Sequence, residues 1–205
     1  MSEILRLMID RLETPIGEMV IVADHEGNLR AVDWTDHEAR MHRFLRLRYD
    51  ENGFKLEPVK NPHELVDKIN RYFAGELAVL DTLPVETNGT PFQSAVWRAL
   101  RAIPCGTTTS YGKLAQQIGK PAAVRAVGLA NGSNPVGVIV PCHRVVGANG
   151  SLTGYGGGLE RKRWLLQHES GGSLLDDPSQ PNNQTTQIQG DIWQLPQTSK
   201  MISTL

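Results

Sequence analysis

Residues 17–34, GEMVIVADHEGNLRAVDW, alternate apolar and polar positions on both sides of HEGN, which predicts two strands joined as a hairpin. DHEARMHRFLRLRY (36–49) spaces Met41, Phe44, Leu45 and Tyr49 at helical intervals. NPHELVDKINRYFAG (61–75) does the same with Leu65, Ile69, Tyr72 and Phe73, between Pro62 near its start and Gly75 at its end. VLDTLPVETNGTP is rich in turn formers and predicts a domain junction near residues 84–90. FQSAVWRALRAIP (92–104) is an amphipathic helix with Phe92, Val96, Ala99, Leu100 and Ile103 inward and Arg98 and Arg101 outward. YGKLAQQIG and KPAAVRAVGLANG predict two short helices around a turn at Gly119, Lys120 and Pro121. VGVIV (136–140) is a continuous apolar run of strand length, which predicts a buried strand ended by Pro141. GLERKRWLLQHE (158–169) predicts a last helix, with Leu159, Leu165 and Leu166 on or near one face. The expected organisation is an α/β domain over 1–88, a mainly helical domain over 89–170, and a flexible polar tail over 171–205.

Charge sharpens this division. The net charge of −1 over 205 residues hides 11 basic and 17 acidic side chains in residues 1–89, against nine basic and two acidic in residues 90–169. A segment that basic suggests a polyanionic partner, although scattered solvated charge reads equally well. Two cysteines, Cys105 and Cys142, do not make a disulfide framework. The N-terminal stretch carries charges every few residues, and no run approaches the length needed to cross a bilayer. A cytoplasmic protein without a membrane association is expected.

The chemistry centres on IVPCHRVVG (139–147). Cys142 is expected at a strand exit, and a helical turn beginning there would favour a thiolate through its free N–H groups. A metal site is disfavoured, because no CxxC exists and the two cysteines are far apart. A buried packing cysteine is the common alternative, but the adjacent His143 and Arg144 argue against it. His143 is the natural base. Neighbouring side chains rarely face each other, so proton transfer is expected through a bound water. Glu169 follows Leu165 and Leu166 by helical spacing; turned inward, it needs a partner, and His143 is the candidate. On the residues alone, a surface glutamate at a fraying helix end is the plainer reading. Arg125 points away from the face of Ala123, Val127 and Ala130 and is flanked by small residues, so its helix can approach another surface closely; an ordinary solvated arginine is the alternative.

TPFQSAVWRALRAIPCGTTTSYGKLAQQIGKPAAVRAVGLANGSNP followed by VGVIVPCHRVVGANGSLTGYGGGLERKRWLLQHE resembles the O6-alkylguanine-DNA alkyltransferases, also called methylated-DNA–protein-cysteine methyltransferases, without gaps over about residues 92–169. TPIGEM and RYFAGEL resemble the bacterial single-activity branch. The resemblance implies a ribonuclease-H-like α/β domain followed by a winged-helix-like DNA-binding domain. It implies direct-reversal repair: Cys142 takes the alkyl group from O6-alkylguanine, with O4-alkylthymine a further candidate substrate, once per molecule and without a cofactor. His143 and Glu169 would complete the relay. Tyr111 would hydrogen-bond the extruded base, Arg125 fill the vacated space in the duplex from the minor groove, and Asn134 tie the recognition helix to the active-site turn. Tyr155 and Gly156 would close over the guanine with the Gly156 N–H aimed at O6, and Lys162 would stabilise charge. Gly112, Lys120 and Val145 complete the implied substrate and DNA contacts. The partner would be double-stranded DNA, bound by a monomer. The family's zinc-binding members carry N-terminal cysteines that are absent here, so no metal is expected, and the polar tail has no counterpart in the family pattern. A non-catalytic lesion-binding module and a cysteine hydrolase are the competing functions; the cysteine itself argues against the first, and Arg125 with the basic segment against the second.

Overall fold

The computed structural model describes residues 4–50 and 53–171; the tail expectation therefore lies outside the described residues. Four strands form the N-terminal sheet: β1 (Leu5–Thr14), β2 (Gly17–Ala23), β3 (Leu29–Trp34) and β4 (Phe54–Pro58), in the order β3-β2-β1-β4. The β2–β3 hairpin is the one the alternation predicts, with Met19 opposite Trp34. β1 pairs antiparallel with β2, and β4 adds to its other side in parallel. The sequence reading passed over β1 and β4. In β1 an acidic residue is turned inward: Asp10 is 8% exposed and accepts hydrogen bonds from Lys60 and the Asn61 N–H, so its charge is satisfied where an apolar residue would be expected.

Helix α1 (Glu38–Tyr49) packs Met41 and Leu45 onto one sheet face, against Leu7, Ile9, Val20, Val22 and Ala31. The other face carries the main core. There Met19, Ile21, Leu29 and Val32 join α2 (Leu65–Phe73) through Leu65, Ile69 and Tyr72. The same core continues into the second half through Val96, Leu100, Leu114, Val127, Val136 and Leu165. The predicted junction near residues 84–90 thus interrupts secondary structure but not the apolar core.

In the second half α3 (Pro91–Arg101) starts on a capping box. Thr90 and Gln93 exchange side chain-to-backbone hydrogen bonds of 3.3 and 3.0 Å, and Pro91 fills the first helical position. Arg98 is exposed as expected, whereas Arg101 is half-buried and donates to the carbonyls of Asp81 and Leu83. A short parallel pair, β5 (Thr109–Ser110) and β6 (Val145–Val146), flanks α4 (Tyr111–Gln117), which Ser110 caps. Gly119, with φ +70°, turns the chain into the single turn ahead of α5 (Val124–Gly132), which gives the predicted helix pair. Helix α6 (Leu159–Ser170) closes the core with Leu165 and Leu166. No helix among the described residues is long and apolar enough to cross a membrane.

Candidate active site

The predicted strand over 136–140 is not formed. Only Val136 bridges to Val32 at the sheet edge, with the Val32 N–H donating to Pro135 and the Gly137 N–H to Val32. The chain then turns on itself through bonds from Ile139 to Gly137 and from Val140 to Val136, with Val138 at φ +69°. A β-branched residue in that region is strained. Burial holds it there, since Val136, Val138, Ile139 and Val140 are all core residues. The run is apolar because it threads the seam between sheet and helices, and a buried turn reads like a buried strand in sequence.

Cys142 therefore leaves a turn, not a strand, and opens a single 3-10 turn over Cys142–Arg144. Its own N–H donates to Val140 and that of Arg144 to Pro141, so the turn does not present the row of free N–H groups the sequence reading expected. Side chains take over that role. The Asn134 side chain donates to Val140 O at 2.8 Å and accepts from the Val136 N–H at 3.0 Å, which ties the end of α5 to the turn. It also hydrogen-bonds the Cys142 sulfur. Burial pushes the Cys142 thiol up, while Asn134, Lys162 and Arg40 pull in the opposite direction.

Behind the cysteine, Glu169 is turned inward. It is 6% exposed, and four donors converge on it: Tyr72 Oη, His143 Nε2 and Arg144 Nη2 at 2.9 Å on Oε1, and Arg144 Nε at 2.8 Å on Oε2. Burial alone would raise its pKa, but the bonds from His143 and Arg144 outweigh it and hold the carboxyl far below the usual carboxylate range. Burial also lowers the pKa of His143, against the pull of Glu169, which favours the neutral ring. An ionised Glu169 requires Nε2 to carry the proton. The other nitrogen, Nδ1, is then the acceptor, and it is buried with no hydrogen-bond partner among the described residues. Lys162 is fully buried and donates to the carbonyls of Val145 and Thr153 at 2.7 and 2.6 Å; burial lowers its pKa to about 8, against the opposing pull of Cys142.

Cys142 lies in a pocket whose walls include Asn134, Tyr155 and Gly156, all named from the sequence, together with Asp33, Trp34 and Arg40, which were not. Arg40 is ion-paired to Asp33 and donates to the Gly156 carbonyl. Arg161 extends the same tie: it lies over the Trp34 ring at 4.5 Å and donates to Ile16 O and Gly157 O. The glycine-rich loop is thus fastened to the N-terminal half of the chain. Gly157 is required by this closeness, because a Cβ there would lie 2.4 Å from the Trp34 ring, whereas one at Gly156 would displace the Arg40 guanidinium from the loop. Tyr72 and Arg40 carried no sequence signal, since each acts on residues more than 90 positions away.

Among the remaining sequence candidates, Tyr111 begins α4 half-buried, within electrostatic reach of Cys142 and hydrogen-bonded to Thr153. Val145 is buried and contributes its carbonyl to Lys162. Gly112, Lys120 and Arg125 do not line the pocket; they stand on the helix pair, Lys120 and Arg125 exposed. Arg125 has no ion-pair partner among the described residues, and its neighbours Ala122 and Ala126 are small and exposed.

Two family models match the chain: the ribonuclease-like domain of 6-O-methylguanine DNA methyltransferase over residues 8–87, and its DNA binding domain over residues 91–171. Proteins called methylated-DNA–protein-cysteine methyltransferase are 51% identical in Shigella flexneri and 53% in Salmonella typhimurium. Each match covers 80% of this chain and 96% of the relative. Among solved structures, a Mycobacterium tuberculosis OGT in complex with DNA is similar, with a TM-score of 0.65 and 42% identity, over 82% of this chain and 94% of that one.

Proposed function

The chain belongs to the 6-O-methylguanine DNA methyltransferase family, and from that premise we propose that Cys142 is the alkyl acceptor in direct-reversal DNA repair. The observation that carries the assignment is a pocket cysteine followed directly by a buried histidine whose Nδ1 has no hydrogen-bond partner among the described residues and whose Nε2 lies 2.9 Å from the buried Glu169 carboxylate. The thiol proton passes through a water to His143 Nδ1, and Glu169 stabilises the imidazolium that forms. Sulfur then attacks the alkyl carbon in line, the carbon–O6 bond breaks, and its electron pair stays on the purine. The base takes up one proton, balancing the one lost by the thiol, and is restored as guanine. No side chain can expel sulfur from the thioether, so each molecule acts once.

Tyr111 and the Gly156 N–H face the purine, where they donate to the atoms that gain charge. Lys162 keeps a cation beside the thiolate and fastens Val145 to the loop at Thr153. On the DNA side, the small exposed face of α5 enters the minor groove and Arg125 fills the space of the extruded nucleotide. Extrusion costs a few kcal/mol, and the inserted guanidinium offsets part of it. Gly112 allows close approach at the start of α4, and Lys120 reaches a phosphate. A monomer in the cytoplasm suffices for this reaction.

Two variants test the assignment. Cys142→Ser abolishes repair of an O6-methylguanine duplex. Arg125→Ala slows duplex repair far more than reaction with free O6-benzylguanine, which needs no extrusion. Repair by the serine variant would exclude Cys142 as acceptor, and equal losses on the two substrates would exclude the wedge role of Arg125.

A further inference from the structure

Exposed cations in the N-terminal half are almost all spent on carboxylates. Arg6, Arg11, Lys55, Lys60 and Arg71 each form an ion pair. Arg43 and Arg46, exposed on α1, form none among the described residues. With Leu47 they occupy an outward arc of about 100° at the helical advance of about 100° per residue. They are the two arginines of this helix whose side chains have neither an ion pair nor a hydrogen bond among the described residues, Arg43 lying over the Phe44 ring at 5.5 Å, and the other two are committed: Arg40 to Asp33, and Arg48 to the carbonyls of Thr87 and Ser133. Arg48 also lies against the rings of Phe44 and Trp97, at 5.4 Å from each. These contacts fix α1 beside the C-terminal end of α5.

Between the two helices runs a groove of about 420 Å³. Arg43 and Leu47 line it from α1, Ala126 and Leu129 from α5, and Phe92 from α3. Its apolar edges are open to water, with Leu47 65% and Leu129 49% exposed. Leu129 follows Arg125 by four residues, so the groove opens on the side of α5 that carries the wedge arginine.

We propose that the DNA interface continues from α5 across this groove to α1, where Arg43 and Arg46 hold phosphates flanking the lesion. This extension rests on the reading of α5 as the DNA-facing helix. A nucleic acid strand alternates anionic phosphates with apolar deoxyribose faces. The groove offers guanidinium groups at its rim and Leu47, Leu129 and Phe92 along its walls, in continuity with the helix that meets the duplex. The domain that carries α1 is acidic overall, and apart from the half-buried Arg48 and Lys68 these two arginines at one edge are its cations without a carboxylate partner among the described residues, which places that charge beside the duplex.

The test is the salt dependence of binding by the full chain carrying R43Q and R46Q together, on a 20-base-pair duplex with one O6-methylguanine, followed by fluorescence anisotropy between 50 and 200 mM NaCl. Each phosphate contact adds about 0.9 to the slope of log affinity against log salt. The double variant therefore loses about 1.8 from the slope, and wild-type affinity falls about 12-fold more than the variant's over that range. R6Q with K60Q, removing two cations already paired, leaves the slope unchanged, and matching melting curves establish that each variant is folded. An unchanged slope in the R43Q, R46Q protein, while Arg125→Ala weakens duplex repair, overturns the extension alone. If Arg125→Ala is also silent on the duplex, the reading of α5 falls and the extension with it. Self-association in sedimentation that R43Q and R46Q abolish, without a change of slope, assigns the surface to a second copy of the chain and overturns the DNA contact.

Discussion

Glu169→Gln keeps the shape of the side chain and removes the charge on which Tyr72, His143 and Arg144 converge. Arg144 is 4% exposed and has no second carboxylate within ion-pair reach among the described residues; its remaining protein bond is to the Ile103 carbonyl at 2.7 Å. The new amide must also turn its NH2 toward one of the existing donors. Leaving one member of a buried ion pair uncompensated costs about 3–5 kcal/mol. For a folded unit of this size each kcal/mol lowers the melting temperature by about 2–4 °C, so the expected drop is about 6–20 °C. In the proposed mechanism, loss of the partner that holds His143 in its reactive tautomer also removes general-base assistance, which is worth about 10²–10⁴ in rate. The assay pairs a near-UV circular dichroism melt with the single-turnover methyl-transfer rate at a temperature where the variant is folded. The acid limb carries the same signature. A carboxyl held below its ordinary pKa of 4.5 contributes stability that is complete at neutral pH and lost as pH falls below that value. The wild type therefore loses stability in acid more steeply than the variant. A stability loss below about 1 kcal/mol, with a rate within threefold of wild type, would refute the convergence on Glu169 as the organising interaction.

Tyr72→Phe removes one donor to Glu169 without stranding a charge, so it costs about 1.5–3 kcal/mol in denaturant titration and less in rate than Glu169→Gln. Lys162→Met leaves the carbonyls of Val145 and Thr153 without their buried donor and slows transfer from free O6-benzylguanine and duplex alike. In the wild type the folded Lys162 releases its proton near pH 8 while the unfolded chain keeps it to about 10.5, so this group raises stability as pH climbs between those values; the methionine variant lacks that rise in pH-dependent melts. Asn134→Ala removes the tie to Val140 and the hydrogen bond to sulfur, and the pH at which iodoacetamide alkylates Cys142 half-maximally moves upward.

Helical periodicity made α1, α2, α3 and α6 legible, because each buries one stripe and solvates the other. The helix pair around Gly119 and the exposed Arg125 were legible for the same reason. The run at 136–140 misled, since burial on all sides erases the difference between a strand and a turn held by Asn134. In β1 the alternation was broken by Asp10, whose partners lie some 50 positions away. Spacing on α6 allowed an inward Glu169 but could not decide it: the deciding partners are Tyr72, from the other half of the chain, and Arg144, which had been noted only as a neighbour of the cysteine. Arg40 and Asp33 were invisible for the same cause. Their role comes from the fold bringing the end of the hairpin and the start of α1 against the 154–158 loop, a juxtaposition that no local pattern records.

The proposed mechanism makes sulfur at residue 142 the final resting place of the alkyl group. Intact-protein mass spectrometry after reaction with an excess of O6-methylguanine duplex measures this directly, with peptide mapping to locate the adduct. One methyl group per protein, on Cys142, saturating however much duplex is added, is the predicted result. A free thiol recovered after several turnovers, or unmodified protein still bound to the lesion, would contradict it.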